Sequence, residues 1–290
     1  MIKHVVAAGC SFTQCKESWA HRASEHFSKS GISVYNNAIG GTGNYIISTL
    51  CISQIKDLLD RGVAPEEMFV VVQWSGIFRN SFLTDARHPC DSLEWFQCYA
   101  DNPLKRTDDK KTKLTFDAGR RKYTPYWANF YQNYWSDECA FVQTLENVLR
   151  TQWFLKSQGI AYRMICGWDI FTDENKVQDT NYIKGANKDT HNNPHQWDDG
   201  TRYNNVSNSL LKDAYAWSQH LWDLIDFEAF EFFENDAIKL GGILQWVQHN
   251  LKPEEWYVSK VDHHPSWKGQ ERYFNEFLLP RIERCFLATG

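Results

Sequence analysis

Several things are scarce in this sequence, and each scarcity removes a class of protein. No run of about 18 apolar residues occurs, so no membrane-spanning helix is expected. Excess positive charge is missing: the formal net charge is -5, which argues against a general nucleic-acid binder. Its one basic cluster, Lys105-Arg106 through Arg120-Arg121-Lys122, is interrupted by Asp108, Asp109 and Asp117 and reads as a solvated loop. No Cys-x-x-Cys pair occurs among the eight cysteines, and a chain of 290 residues does not need disulfide staples. Eight reduced thiols in a cytosolic protein are expected. Met1-Ile2-Lys3-His4 runs straight into an apolar segment without a charged n-region and an apolar h-region, so no secretory leader is expected either. Internal repeats and low-complexity tracts are absent.

The composition that remains, 42% hydrophobic and 23% charged, is that of a chain that buries a core. Residues 2–9 are nearly all apolar and predict a buried strand, followed by a helix over 11–29 that ends at Ser30-Gly31. Residues 32–39 predict a second strand, stopped by Gly40-Gly41-Thr42-Gly43. From 44 to 60, apolar side chains at 46, 47, 50, 51, 55, 58 and 59 trace one helix face. Residues 68–74 form an apolar run of the kind buried on both faces of a parallel sheet. Strand and helix alternate here as they do in a parallel sheet covered by helices.

Two long insertions interrupt this rhythm, at about 80–135 and 172–206. The first is expected to have little regular structure, and the second is a polar loop. Between them a helix over 137–157 leads through Gly159 to a strand at 160–166. Helical stretches are predicted at 207–224, 226–235 and 238–251, and a terminal helix at 267–286. The whole chain, 1–290, is read as a single domain.

Two short segments carry chemistry. Gly9-Cys10-Ser11-Phe12-Thr13 sets a serine hydroxyl where the first strand meets a helix, at the sheet edge where open α/β folds bind ligands. Backbone N–H groups that begin the helix favour developing negative charge there. Asp262-His263-His264-Pro265-Ser266 offers an imidazole with a carboxylate two positions earlier. A serine hydroxyl needs a base to become a nucleophile, and the base needs a group to hold its tautomer. Ser11, His264 and Asp262 are the candidates for these roles. Ser11 is equally a residue type favoured as a helix N-cap, and His263 is the other available imidazole. Asp262 reaches the ring through a bent turn, or a backbone carbonyl takes its place. A metal site at His191, His195, Asp198 and Asp199 lacks a tight ligand spacing, and no metal is expected. Cys10 as nucleophile is disfavoured, because its side chain is expected to face the sheet.

With these motifs the chain resembles the SGNH (GDSL-type) hydrolase superfamily. Ser11 matches the nucleophile, with Cys10 where the motif usually has Asp. In Asn37-Ala38-Ile39-Gly40-Gly41-Thr42-Gly43-Asn44, Gly41 matches the glycine whose N–H joins the oxyanion hole. The asparagine of the third block is missing after residues 70–74; Ser75 is the nearest polar replacement, with Arg79 a turn onward. In the fourth block the acid stands two residues before the histidine rather than three. The resemblance implies a three-layer α/β/α sandwich of flavodoxin-like type, with a mainly parallel five-stranded sheet. It implies a serine esterase that removes acyl, typically acetyl, groups without metal or organic cofactor. Ser11 and Gly41 would hold the oxyanion, helped by Ser75 or Asn44, and Arg79 would border the substrate. The implied partner is a small-molecule or carbohydrate ester, with no nucleic acid or membrane. Abundant aromatics in the insertions (Trp95, Tyr123, Tyr126, Trp127, Tyr131, Tyr134, Trp135, Trp197) and Trp168 after the fourth strand suit either core packing or stacking on sugar rings. The alternative is a module of the same fold that binds a glycan or a partner without turnover.

Overall fold

The computed structural model describes residues 1–77, 79–83, 95–100, 114–116, 137–168, 170–171, 216–235, 240–259, 262 and 264–288. Its centre is a parallel sheet built from β1 (His4–Ala8), β2 (Ser33–Asn36), β3 (Met68–Trp74) and β7 (Ala161–Cys166). The strand order is β2-β1-β3-β7. Every residue of β3 is buried, as are Val5, Val6, Ala7 and Ala8 of β1, which explains why both read as nearly continuous apolar runs. β2 lies at the edge, is only four residues long and is partly exposed, a safe form for an unpaired edge.

Helices cover both faces. α1 (Ser11–Gln14) and α2 (Trp19–Phe27) follow β1, and α3 (Asn44–Asp60) connects β2 to β3. α4 (Asp137–Gln158) leads into β7 and packs on α3. α5 (Ala216–Asp223) packs on α4 in turn. α6 (Ile243–Asn250) precedes a continuous terminal run. That run consists of α7 (Trp267–Arg272), a π-type segment (Tyr273–Leu278) and α8 (Leu279–Ala288). It covers the opposite face together with α2, where Phe286 meets Phe27 and Phe69 edge-on or tilted. The result is a three-layer α/β/α arrangement. No helix among the described residues is long and apolar enough to cross a membrane.

Several expectations need correction. Among the described residues the sheet has four strands rather than five. Beyond β7 the fifth position is held by a single parallel bridge between Met164 and Phe230, with the Glu231 N–H donating to Met164 O at 2.8 Å. Residues 226–235 were expected to be helical. They form only a short 3-10 turn at Phe227–Ala229 before becoming extended. Their phenylalanine spacing fits both periods, and packing chose: Phe227, Phe230 and Phe232 surround Phe171.

The helix expected over 11–29 is two helices. The Thr13 carbonyl accepts from Ser18 Oγ at 2.6 Å and Asn36 Nδ2 at 2.8 Å, while Ser18 caps α2 by accepting the His21 N–H. The first insertion holds regular structure after all. β4 (Arg79–Leu83), β5 (Trp95–Ala100) and β6 (Leu114–Phe116) form an antiparallel sheet in that order. The aromatic, strand-favouring sequence of β5 was masked by the prolines and charges around it. The second insertion at 172–206 lies outside the described residues, as do most of the aromatics named above in the first and His191, His195, Asp198 and Asp199.

Candidate active site

β1 and β3 are adjacent, and their connections leave toward opposite sides of the sheet, so a crevice opens at their carboxyl ends. Register places Ala8 opposite Val72. Ser11 and Ser75 each stand three residues further along, on that same edge. Cys10 precedes α1 with extended backbone, and its carbonyl accepts from Thr13 and Gln14, both at 2.9 Å. Ser11 is therefore the first residue of a turn pinned to the end of β1. Gly9 lets the chain turn here without a Cβ clash, and its φ is not positive. The reason for glycine is space: a Cβ there would stand 2.2 Å from Thr13 Oγ1 and 2.9 Å from Gln73 Oε1.

His264 arrives from the other end of the chain on a narrow hairpin. The Val258 N–H donates to His264 O at 2.9 Å, and Tyr257 bridges Pro265. Two anchors hold its base. The buried Trp256 donates its indole N–H to Leu251 O at 2.9 Å, and Ser266 caps α7 by accepting the Gly269 N–H at 3.0 Å. At the tip, Ser259 Oγ accepts the Asp262 N–H at 3.0 Å. Asp262 Oδ1 then accepts the His264 backbone N–H at 3.1 Å and contacts ring Nδ1. The short Asp-x-His spacing is thus accommodated by a bent turn, with one carboxylate oxygen serving both backbone and ring. On the far side of the ring, His264 Nε2 lies 2.7 Å from Ser11 Oγ. His263, the other candidate imidazole, lies outside the described residues.

The remaining candidates fall into different roles. Gly41 has φ +77°, a conformation that suits glycine, and its neighbour Gly40 lies against Ser11 and donates its N–H to Gln14 Oε1 at 2.6 Å. Asn44 was expected to help hold an oxyanion directly. It is buried, and its Nδ2 donates to Ser75 O at 3.0 Å and Thr144 Oγ1 at 3.2 Å, while Oδ1 accepts the Ser75 N–H at 2.8 Å. With two amide hydrogens both engaged, it clamps the end of β3 instead. Ser75 is fully buried, and its hydroxyl has no hydrogen-bond partner among the described residues.

Arg79 is buried with its guanidinium 5.1 Å over the Trp168 ring. Trp168 meets Phe12 edge-on at 5.4 Å, and Phe12 meets His264 edge-on at 5.5 Å. These rings form one wall behind the imidazole. Trp168 is itself buried and packs rather than offering an open face. Cys10 is fully buried, with Sγ directed to Gln73 Oε1 at 3.3 Å. Burial pushes the Cys15 thiol above its ordinary range, and the Asp262 carboxylate and Cys10 add to the effect. Both neighbouring thiols are therefore poor competitors for the serine hydroxyl.

Gln73 belongs to none of the sequence motifs. The available signal was an amide inside the otherwise apolar β3. Such a residue must find partners once buried, and here they are the groups that form the serine turn.

No protein-family model matches the chain, and no curated protein matches it. A solved structure from Bacteroides fragilis, described as a "putative acylhydrolase", is similar to it at 14% sequence identity and a TM-score of 0.40, over 98% of this chain and 88% of that one.

Proposed function

We propose that the chain is a serine hydrolase of the SGNH type that removes acyl groups, acetyl above all, from a small-molecule or carbohydrate ester. One observation carries the reading: His264 Nε2 is within 2.7 Å of Ser11 Oγ while Asp262 engages the opposite ring nitrogen. In the reaction, His264 takes the Ser11 proton as the hydroxyl oxygen attacks the ester carbonyl. The Asp262 carboxylate holds the Nδ1–H tautomer and stabilises the imidazolium that forms. The N–H groups of Ser11 and Gly41 and the hydroxyl of Ser75 receive the oxyanion, with Asn44 fixing where Ser75 stands. His264 then protonates the departing alcohol, and water repeats the sequence on the acyl-enzyme. Arg79, stacked behind Trp168, backs the aromatic wall of the crevice rather than bordering substrate. The scheme needs no metal or organic cofactor.

The test is covalent labelling with a fluorophosphonate. The parent protein is expected to label, while Ser11→Ala and His264→Ala are expected to lose labelling. Hydrolysis of p-nitrophenyl acetate, and then of acetylated sugars, should follow the same pattern. An imidazolium has no lone pair to accept the serine proton, so both rates should fall in acid. A folded parent that neither labels nor hydrolyses would instead support a binding module on this fold.

A further inference from the structure

We propose that the buried amide of Gln73 is the positioning residue for the nucleophile, fixing the turn that presents Ser11 to His264. This rests on the hydrolase reading above and adds to it a residue that never meets substrate. Gln73 is fully buried in β3, directly beneath the crevice. Its Oε1 accepts the Cys10 backbone N–H at 3.3 Å and the Thr13 hydroxyl at 3.1 Å, and it also meets Cys10 Sγ. The two residues flanking the Ser11-Phe12 pair are thereby tied to one oxygen.

The direction of every bond in this cluster is forced. The Cys10 N–H can only donate, so the amide must face it with oxygen. Gln73 Nε2 then donates to Trp74 O, which can only accept. The Trp19 indole N–H, also an obligate donor, gives its hydrogen to Thr13 Oγ1 at 3.1 Å. Gln73 Oε1 can only accept, so Thr13 must send its own hydrogen to it. From the outer side, Gln270 Nε2 donates to Phe12 O at 3.2 Å, and Gln270 Oε1 accepts the Trp19 backbone N–H at 3.1 Å.

Two glycines leave room for the amide. A Cβ at Gly9 would stand 2.9 Å from Gln73 Oε1, and one at Gly167 would stand 2.8 Å from Nε2. An amide with fixed polarity and cleared space on both sides holds the serine turn more firmly than apolar packing, which is non-directional.

The experiment compares the parent, Gln73→Leu and Gln73→Glu. Leucine keeps most of the volume and removes the acceptor. Glutamate in this buried place is held neutral by desolvation, so it keeps a carbonyl acceptor and an O–H for Trp74 O. Gln73→Leu is expected to lower kcat for p-nitrophenyl acetate by about 100-fold, with KM little changed and labelling slowed to match, because small displacements of reacting groups cost that much. Gln73→Glu is expected to recover most of the rate. If Gln73→Leu does not fold, Thr13→Val removes one tie and should give a smaller loss in the same direction. Parent-like kcat in folded Gln73→Leu, or in Thr13→Val where that variant is used, overturns the inference, as does a Glu variant as slow as the Leu variant. An unlabelled parent sinks the hydrolase reading itself, and this inference with it; a labelled parent with an equally fast Leu variant sinks only the positioning role.

Discussion

Ser11 Oγ and His264 Nε2 meet at 2.7 Å although 253 positions separate them along the chain. Neither residue is brought there by local structure alone. β1 runs through the centre of the sheet and ends beneath Ser11, whereas His264 hangs on a hairpin fastened by Trp256 and by α7. The contact is thus a product of the sheet edge and of the packing of the terminal helical run against α2.

Asp262→Asn separates charge from turn geometry. The amide oxygen can still accept the His264 backbone N–H, so the hairpin should persist. Loss of the negative charge and of the ring tautomer should cut p-nitrophenyl acetate hydrolysis by roughly 100- to 10,000-fold. Parent-like turnover in this variant would remove Asp262 from the site.

Gly9→Ala is expected to destabilise the protein by about 1–3 kcal/mol through overpacking. The added methyl would meet Thr13 Oγ1 at 2.2 Å, within the cluster beneath Ser11. A urea denaturation midpoint equal to that of the parent would contradict the packing described here.

Asn44→Ala leaves the buried N–H and C=O of Ser75 without the side chain that pairs both. A loss of about 1–3 kcal/mol in unfolding free energy is expected, together with slower labelling of Ser11. Slower labelling at full stability would mean that the Asn44 amide faces the substrate directly.

The acid limb of stability should carry a signature of Asp226. Burial opposes its ionisation and is the largest single influence, but the hydrogen bond and charge of Lys156, with the Tyr162 hydroxyl, outweigh it and lower the carboxyl's pKa. A carboxyl depressed in the fold stabilises fully above its unfolded pKa of about 3.9 and loses that contribution as pH falls through the folded value. Lys156 is half-exposed, so Lys156→Met should cost no more than about 1 kcal/mol at neutral pH. The difference in urea midpoint between parent and variant should shrink toward zero below about pH 4. A difference that persists undiminished at pH 2 would refute the pairing.

Much of the fold was legible because its local signals agreed with one another. The helix expected over 44–60 is α3, and the strand expected over 68–74 is β3, since apolar period and buried surface coincide in both. Where two periods were compatible, as around Phe227, Phe230 and Phe232, the choice passed to the aromatic cluster around Phe171. The break after Gln14 was hidden for another reason. It depends on Asn36, in a different strand, taking the Thr13 carbonyl.

The sequence by itself determined the alternation of strands and helices and the residue types that could perform acyl transfer, because short-range periodicity and side-chain chemistry are properties of the chain. Only the tertiary structure decided which imidazole nitrogen faces Ser11, that Asn44 holds β3 instead of facing the crevice, and that Gln73 lies beneath the serine turn. Those are directional hydrogen bonds between distant segments. Their partners are chosen by how the buried layers stack, and no local pattern encodes that choice.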